Sequence, residues 1–332
     1  MLRLRRICVP LGLECNLQCK YCYRDFEKIK IPEFTPDMIK YLNNVSSSWC
    51  EAVIASGGEP LIYWDKVKEL FSYIPKNVHK RIMTNATLLT QEMVDYINEY
   101  EIELHVSHDG PKTEFLRGVD VLKDSKIVDL LHQVKIIRIW SVCTKYNCNV
   151  WENFFDTINK LGKFDENTYY DTFAINDIPS QHDCVEGFDY RTWVKTLTEF
   201  RLSKYNKVNP YTNGRSLTDD PFDGGTHMGF NILPDGTVCG MTHVGSKYGT
   251  IFTEDYNELR QNMINMGQID ECFKCKKNKQ CDYVRQTISP HICKCRKLLL
   301  KSWSDDAIGE IKEQLDVKLP KLEEQYGFKL SV

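Results

Sequence analysis

The sequence predicts an α/β fold on a mostly parallel sheet, and three observations carry that expectation. Between residue 5 and about residue 176, short runs rich in β-branched and aromatic residues alternate with longer amphipathic segments. Several of the amphipathic segments open on helix-start residues. Most of the β runs end in a glycine-rich or polar element, as expected where functional groups gather at the C-terminal ends of parallel strands.

Six runs read as strands: RRICVPL (5–11), EAVIASG (51–57), HKRIMTN (79–85), IELHVSH (102–108), KIIRIWSVC (135–143) and YYDTFAIN (169–176). Helix starts stand between them, with Thr35-Pro36-Asp37 before MIKYLNNV, Thr90 before QEMVDYINEY and Asn149 before VWENFFDTINKLG. Six such β/α units predict a parallel sheet, open or curled into a partial barrel. The rhythm stops near residue 205. Residues 206–226 are rich in Asn, Gly, Pro and Asp and read as a linker, and FNILPDGTVCGMT then reads as a hairpin around Pro234-Asp235-Gly236. Residues 272–295 hold five cysteines and few large apolar side chains, so a metal centre is expected to hold that segment. The predicted organisation is therefore a core over residues 1–205, a linker over 206–226, a cysteine-rich domain over 227–302 and a helical tail over 303–332.

With 332 residues, 42% hydrophobic, the chain can bury a sizeable core, and a net charge of −3 gives no global attraction for nucleic acid or anionic membrane. Neither partner is expected. The start, MLRLRRICVPLGLEC, has an apolar run broken by Pro10 and followed by Glu14, which does not fit a signal peptide. A cytoplasmic location is expected, where clustered thiols among the fourteen cysteines point to metal or catalysis.

The stretch GLECNLQCKYCYRDF places Cys15, Cys19 and Cys22 on the loop after the first strand. Three thiolates can hold a 4Fe-4S cube by three irons and leave the fourth open. The other strand ends carry Ser56-Gly57-Gly58-Glu59-Pro60, Thr84-Asn85, Ser107-His108-Asp109-Gly110 and Thr144-Lys145-Tyr146-Asn147. Taken singly, the first could be a turn, the third a loop cap and the cysteine trio half a zinc site. Their recurrence on successive strand ends favours one shared site.

Cys15-x3-Cys19-x2-Cys22, with Tyr21 before the last cysteine, resembles the radical S-adenosylmethionine (SAM) superfamily. That resemblance implies a partial (β/α)6 TIM-like barrel in which the three cysteines bind a 4Fe-4S cluster and the open iron binds SAM. Gly57-Gly58-Glu59-Pro60 looks like the family's GGEP motif for the SAM amino group. Ser107-His108-Asp109-Gly110-Pro111 is similar to the S-x-D-G-P of the peptide- and protein-modifying branch, with Ser107 near the ribose. Arg117 falls where that branch has an arginine for the SAM carboxylate. Thr84-Asn85-Ala86 resembles a T-N-G element with alanine in place of glycine. Tyr21, Gly57, Gly58, Glu59, Asn85, Ser107, Asp109 and Arg117 are thus the expected cofactor-binding residues.

Cys272-x2-Cys275-x5-Cys281, with Cys293, Cys295 and Cys239, is similar to the SPASM/twitch extension of that branch. It implies one auxiliary 4Fe-4S cluster on Cys272, Cys275, Cys281 and one of Cys293 or Cys295, with Cys239 as a further ligand; structural zinc is the alternative. Two cysteines of the full pattern are absent, where Glu254 and Arg285 stand. A peptide or protein substrate and a flavodoxin- or ferredoxin-type electron donor are expected, with a small-molecule, nucleotide or RNA substrate, or a non-catalytic scaffold, as rival readings. With fourteen residues before Cys15, no N-terminal leader-recognition module is expected. No residue is assigned as general acid or base; Asp109, Tyr169 and Asp171 are candidates. Cys8, Cys50 and Cys143 are expected in the core, His105 and His108 in structural roles, and Cys184 is the one further thiol to test for substrate contact.

Overall fold

The computed structural model describes residues 4, 6–22, 30–174, 182–206, 230–240, 247–254, 258–259, 262 and 305–328. Residues 207–226 of the expected linker, and Cys272, Cys275, Cys281, Cys293 and Cys295, lie outside the described residues. The chain divides into two compact units. One takes in residues 1–16, 23–105 and 220–288, the other residues 17–22, 106–219 and 289–332.

In the first unit, β1 (Arg6–Pro10), β2 (Ala52–Ser56) and β3 (His79–Thr84) are adjacent and parallel, and β4 (Glu103–Ser107) begins. Ile7, Val9, Ala52, Val53, Ala55 and Ile82 are fully buried, as parallel strands covered on both faces require. The helices start where the sequence says. Thr35 caps α1 (Pro36–Asn43) by accepting the Met38 N–H at 3.3 Å, Pro36 sits in the first turn, and Asp37 meets the positive helix end. Thr90 likewise accepts the Met93 N–H at 3.3 Å and opens α3 (Gln91–Glu99), while α2 (Trp64–Ser72) buries Val67, Leu70 and Phe71.

The expected hairpin forms from β7 (Phe230–Ile232) and β8 (Thr237–Gly240), with Gly236 at φ 84° in the turn, and β9 (Lys247–Thr250) pairs antiparallel to β8. In addition, β7 pairs parallel with β1, Cys8 opposite Asn231, giving the order β3-β2-β1-β7-β8-β9. An uncovered β1 edge would present unpaired backbone groups, and the hairpin takes that place. Thr35 N also donates to Pro234 O at 3.1 Å, tying the start of α1 to the hairpin.

In the second unit the order is β4-β5-β6, with β5 (Ile137–Cys143) and β6 (Thr168–Ala174) parallel in register from Ile137 opposite Thr168 to Cys143 opposite Ala174. Its helices are α4 (Thr113–Arg117), α5 (Ser125–Gln133), α6 (Val150–Leu161), α7 (His182–Val185), α8 (Tyr190–Leu202) and α9 (Asp305–Gln325). Asn149 caps α6 by accepting from Trp151 N and Glu152 N, and Gly162 at φ 67° ends it. The face so presented is aromatic: Trp151, Phe154 and Phe155 are buried against Phe200 and Tyr205, with centroids 5.0–6.3 Å apart. Helix α9 is held to α8 and the following turn, where Lys318 Nζ meets Glu199 Oε2 at 2.6 Å and the Tyr205 hydroxyl donates to Glu323.

All six strands, the three capped helices, the hairpin and the tail helix expected from the sequence are present. Among the described residues, no helix is long and apolar enough to cross a membrane.

Candidate active site

The strand ends of the first unit hold the start of the cysteine loop by main-chain hydrogen bonds. Gly58 N donates to Gly12 O at 2.8 Å and Glu59 N to Glu14 O at 2.8 Å. A Cβ on Gly57, which sits at φ 120°, would lie 2.2 Å from Gly12 O, and one on Gly58 would lie 1.8 Å from Glu14 O. The glycines of the GGEP element thus let two backbones meet, one of them carrying Cys15. Tyr63 adds to the grip, its hydroxyl accepting the Glu14 N–H at 3.0 Å.

Glu59 is buried at 1% exposure, and its carboxylate is satisfied by neutral donors. Oε1 accepts from Leu61 N at 3.1 Å and Thr84 Oγ1 at 2.6 Å, and Oε2 accepts from Asn85 N at 2.8 Å. It therefore staples the end of β2 to the end of β3. Asn85 points onward, Nδ2 donating to Asn16 Oδ1 at 2.9 Å and lying 3.9 Å from Cys15 Sγ, while Oδ1 accepts from Thr87 N and Thr87 Oγ1. Asn16 Nδ2 closes the ring on Thr87 Oγ1 at 2.7 Å. Ala86 has φ 62°, a left-handed conformation, which explains why the resembled T-N-G element carries glycine there.

The second unit anchors the rest of the loop by a buried charge. Cys22 N donates to Cys19 O at 3.0 Å, making a tight turn, and Lys20 N donates to Leu116 O at 2.8 Å. Between them, the Tyr21 hydroxyl donates to Asp109 Oδ2 at 2.5 Å. Asp109 is fully buried and also accepts from Arg117 Nε at 2.7 Å on Oδ2, from Arg117 Nη2 at 3.4 Å on Oδ1, and from Val142 N at 2.8 Å on Oδ1. The Arg117 guanidinium lies 5.4 Å from the centroid of the Tyr21 ring. Burial pushes the Tyr21 phenol well above its usual range, with Arg117 pulling the other way and Asp109 adding to the rise. Burial disfavours the Arg117 charge, but Asp109, Tyr21 and Cys19 outweigh it and hold the guanidinium protonated above its ordinary range.

Arg117, expected at a SAM carboxylate, directs Nε and Nη2 to Asp109. Asp109, a candidate acid or base, has both oxygens occupied by donors and acts as an anchor. His108 is structural as expected, fully buried between Thr157 Oγ1 at 2.8 Å and Asp120 Oδ1 at 2.9 Å, and His105 Nε2 meets Glu103 Oε1 at 2.8 Å. Ser107 stands half-buried at the end of β4. Tyr169 and Asp171 are half-buried on one face of β6, where Asp171 Oδ1 accepts its neighbour's Thr172 N–H at 2.8 Å.

Cys15, Cys19 and Cys22 are half-buried and form no disulfide among the described residues. Among the described residues, no three or more His, Cys, Asp or Glu side chains are drawn together as metal ligands. The donor chemistry nevertheless fits an iron-sulfur cluster: three unbridged, solvent-reachable thiols lie within eight residues on an anchored backbone. The remaining described thiols differ, apart from Cys148, which is half-buried like the trio and has its thiol raised by burial. Cys8, Cys50 and Cys143 are core residues as expected, burial pushing them up to about 11, 12 and 12. Cys239, expected as an auxiliary-cluster ligand, is enclosed with Ile31, Leu233 and Leu13 and pushed by burial up to about 12, a core position. Cys184 is also buried, at 3% exposure, with burial raising its thiol, so it is not presented to a substrate. Glu254, where the resembled pattern has a cysteine, accepts the Thr250 N–H at 2.7 Å and closes a turn.

Sequence reasoning missed Asn16, Tyr63, Thr87 and the Val142 amide. Nothing local marks them, because each matters only through a partner from another strand end.

Residues 9–150 match the family model of the Radical SAM superfamily. The chain is 22% identical over 316 residues to the cysteine-type anaerobic sulfatase-maturating enzyme of Clostridium perfringens, spanning 87% of this chain and 84% of that protein. The structure of native anSMEcpe with bound AdoMet and Cp18Cys peptide superposes with a TM-score of 0.59 at 18% identity, covering 93% of this chain and 99% of that one. That of Streptococcus suis SuiB bound to precursor peptide SuiA gives 0.61 at 16% identity, covering 87% and 76%. These two likenesses show the fold. The cysteine loop, Gly57-Gly58-Glu59-Pro60, Ser107-His108-Asp109-Gly110-Pro111 and Arg117 all fall within the matched span, and over residues 9–150 the chain is similar to the radical SAM superfamily.

Proposed function

We propose that this radical SAM enzyme modifies a side chain of a peptide or protein. The observation that carries the reading is the backbone seam between Gly57-Gly58-Glu59 and Gly12–Glu14, which joins the two motifs that define the site. Three residues of the loop, Cys15, Cys19 and Cys22, would hold a 4Fe-4S cluster. The chemistry supplied by such a cluster with S-adenosylmethionine is one-electron cleavage of a C–S bond and hydrogen abstraction from an unactivated carbon.

The chain's own residues bind and orient. Gly57 and Gly58 bring main-chain groups to the loop with no side chain in the way, and Glu59 fixes the β2 and β3 ends by its three accepted hydrogen bonds. Asn85 and Ser107 supply polar groups at two further strand ends. Arg117 works through Asp109, which grips the Tyr21 hydroxyl inside the cysteine loop. Support for a peptide substrate comes from the relatives: one matures sulfatases, and both solved neighbours carry a peptide. An electron from a flavodoxin- or ferredoxin-type donor, and a reducing compartment such as the cytoplasm, suit a cluster of three reduced thiols. The core over residues 1–205 and the cysteine-rich domain over 227–302 remain the proposed division, with one auxiliary cluster on Cys272, Cys275, Cys281 and one of Cys293 or Cys295.

Anaerobically reconstituted, reduced protein incubated with S-adenosylmethionine is expected to release 5'-deoxyadenosine, and Cys19→Ala to abolish it. No release from the parent protein would leave a non-catalytic scaffold. Added peptide should change mass in the same reaction. Iron and zinc quantitation tests the auxiliary centre, with about eight irons and no zinc expected for two 4Fe-4S clusters.

A further inference from the structure

In the second unit, three strand-end loops meet at a surface that the site described above does not use. Pro111, Lys112, Glu114 and Phe115, just after β4, and Tyr146, just after β5, line an open cavity of about 480 Å³. Among the described residues five large hydrophobic side chains are exposed, and two of them, Phe115 at 47% and Tyr146 at 39%, meet here edge to face with centroids 5.0 Å apart. Leaving two aromatic rings in water forgoes burial energy that folding would otherwise use, and such patches mark binding sites. The rings are also held in place. The Tyr146 turn is closed by Asn147 Oδ1, which accepts from Thr144 N and Thr144 Oγ1, while Asn147 Nδ2 donates to Asp109 O at 3.3 Å.

The charge around the rings is mainly positive. Lys20 Nζ lies 4.5 Å from the Phe115 centroid and Lys145 Nζ 5.2 Å from the Tyr146 centroid, and Lys112 lines the cavity itself. The carboxylate present, Glu114, is paired with Lys123. A surface with three ammonium groups and two open rings, on a chain of net charge −3, selects a ligand that is anionic beside an apolar or aromatic group. Lys20 lies between Cys19 and Cys22, and its backbone is bonded to Leu116, next to Phe115. A ligand lying on Phe115 therefore also lies against the cysteine loop.

We propose that this cavity is the docking groove for the peptide substrate, and that it takes a segment with an acidic side chain next to an aromatic or bulky apolar one. The inference rests on the peptide-modifying reading and names the substrate class of that site. Lys112 and Lys145 would pair with the acidic group, and Phe115 and Tyr146 would stack on the apolar one.

The test uses reconstituted full-length protein and fluorescein-labelled decapeptides of glycine and serine with a central Asp-Phe or Lys-Phe pair, read by fluorescence anisotropy. An oligothymidylate of ten nucleotides is the third probe. The Asp-Phe peptide is expected to bind about tenfold tighter than the Lys-Phe peptide. Lys112→Glu with Lys145→Glu should reverse that order, and Phe115→Ser with Tyr146→Ser should weaken both peptides. Equal affinity for the two peptides, or affinities that the variants do not move, would overturn the groove. Tightest binding of the oligothymidylate, lost in the same variants, would assign the surface to nucleic acid and overturn it as well. A modification assay separates the two levels. Peptides modified equally by parent and groove variants remove the groove alone, whereas S-adenosylmethionine cleavage without modification of any peptide removes the peptide reading and the groove with it.

Discussion

Two buried carboxylates organise the strand ends, and they do so in opposite ways. Glu59 in the first unit accepts from neutral donors, among them two main-chain amides and a threonine hydroxyl. Asp109 in the second unit faces a guanidinium as well as a phenol and an amide. Both steady the segment that carries the cysteines, Glu59 through the seam beside Cys15 and Asp109 through Tyr21. A carboxylate held by neutral groups loses hydrogen bonds when altered, whereas one held by a cation leaves an uncompensated buried charge behind. The second arrangement is the more brittle.

That contrast can be broken by substitution. Asp109→Asn should cost about 3–5 kcal/mol in denaturant unfolding, because Arg117 is left buried without its counter-charge. Arg117→Met in the same background should recover part of that loss; no recovery would show that the charge is not the cause. Glu59→Gln should cost about 1–3 kcal/mol, since an amide nitrogen replaces one accepting oxygen among donors. If Glu59→Gln proves the costlier of the two, the contrast fails.

The thiols sharpen the same division between steadied surface and core. In cluster-free protein, Cys15, Cys19 and Cys22 should react with a thiol reagent in the native state, and Cys8, Cys50, Cys143 and Cys239 only on unfolding. Burial raises those four thiols to about 11 or 12, against about 8.5 in the unfolded chain. The unfolded state therefore releases protons first. The stability they contribute is fully present below about pH 8.5 and is lost as pH rises, by about 1.4 kcal/mol per pH unit for each thiol. Unfolding titrations at pH 8 and pH 10 check it, and Cys143→Ala should flatten the decline.

Acid acts on a different group. Burial alone would raise Asp120, but His108 and Lys160 hold its carboxyl well below the usual carboxylate range. Its contribution is present above about pH 4 and is lost as pH falls below that. Asp120→Asn should flatten the acid limb of the stability curve. Smallest of all, Ala86→Gly should change stability by less than about 1 kcal/mol, because relief of a left-handed alanine opposes the greater freedom of glycine in the unfolded chain.

Much of this was legible beforehand because it is local. Thr35, Thr90 and Asn149 cap helices within three residues of themselves, Pro234-Asp235-Gly236 turns the chain within four, and strand composition follows from burial on both faces. The cysteine trio was legible for the same reason, since its ligands share one loop. By itself, then, the amino-acid order determined the β/α succession, the hairpin and the three open thiols. Tertiary structure alone decided who meets whom: Tyr21 and Asp109 lie 88 residues apart, Glu59 and Thr84 lie 25 apart, and β7 joins β1 across most of the chain. It set Arg117 against Asp109 and Cys239 among apolar side chains, because a buried charge takes a counter-charge and a buried thiol takes apolar neighbours. Such pairings depend on which strand ends become neighbours, and no short stretch of sequence contains that information.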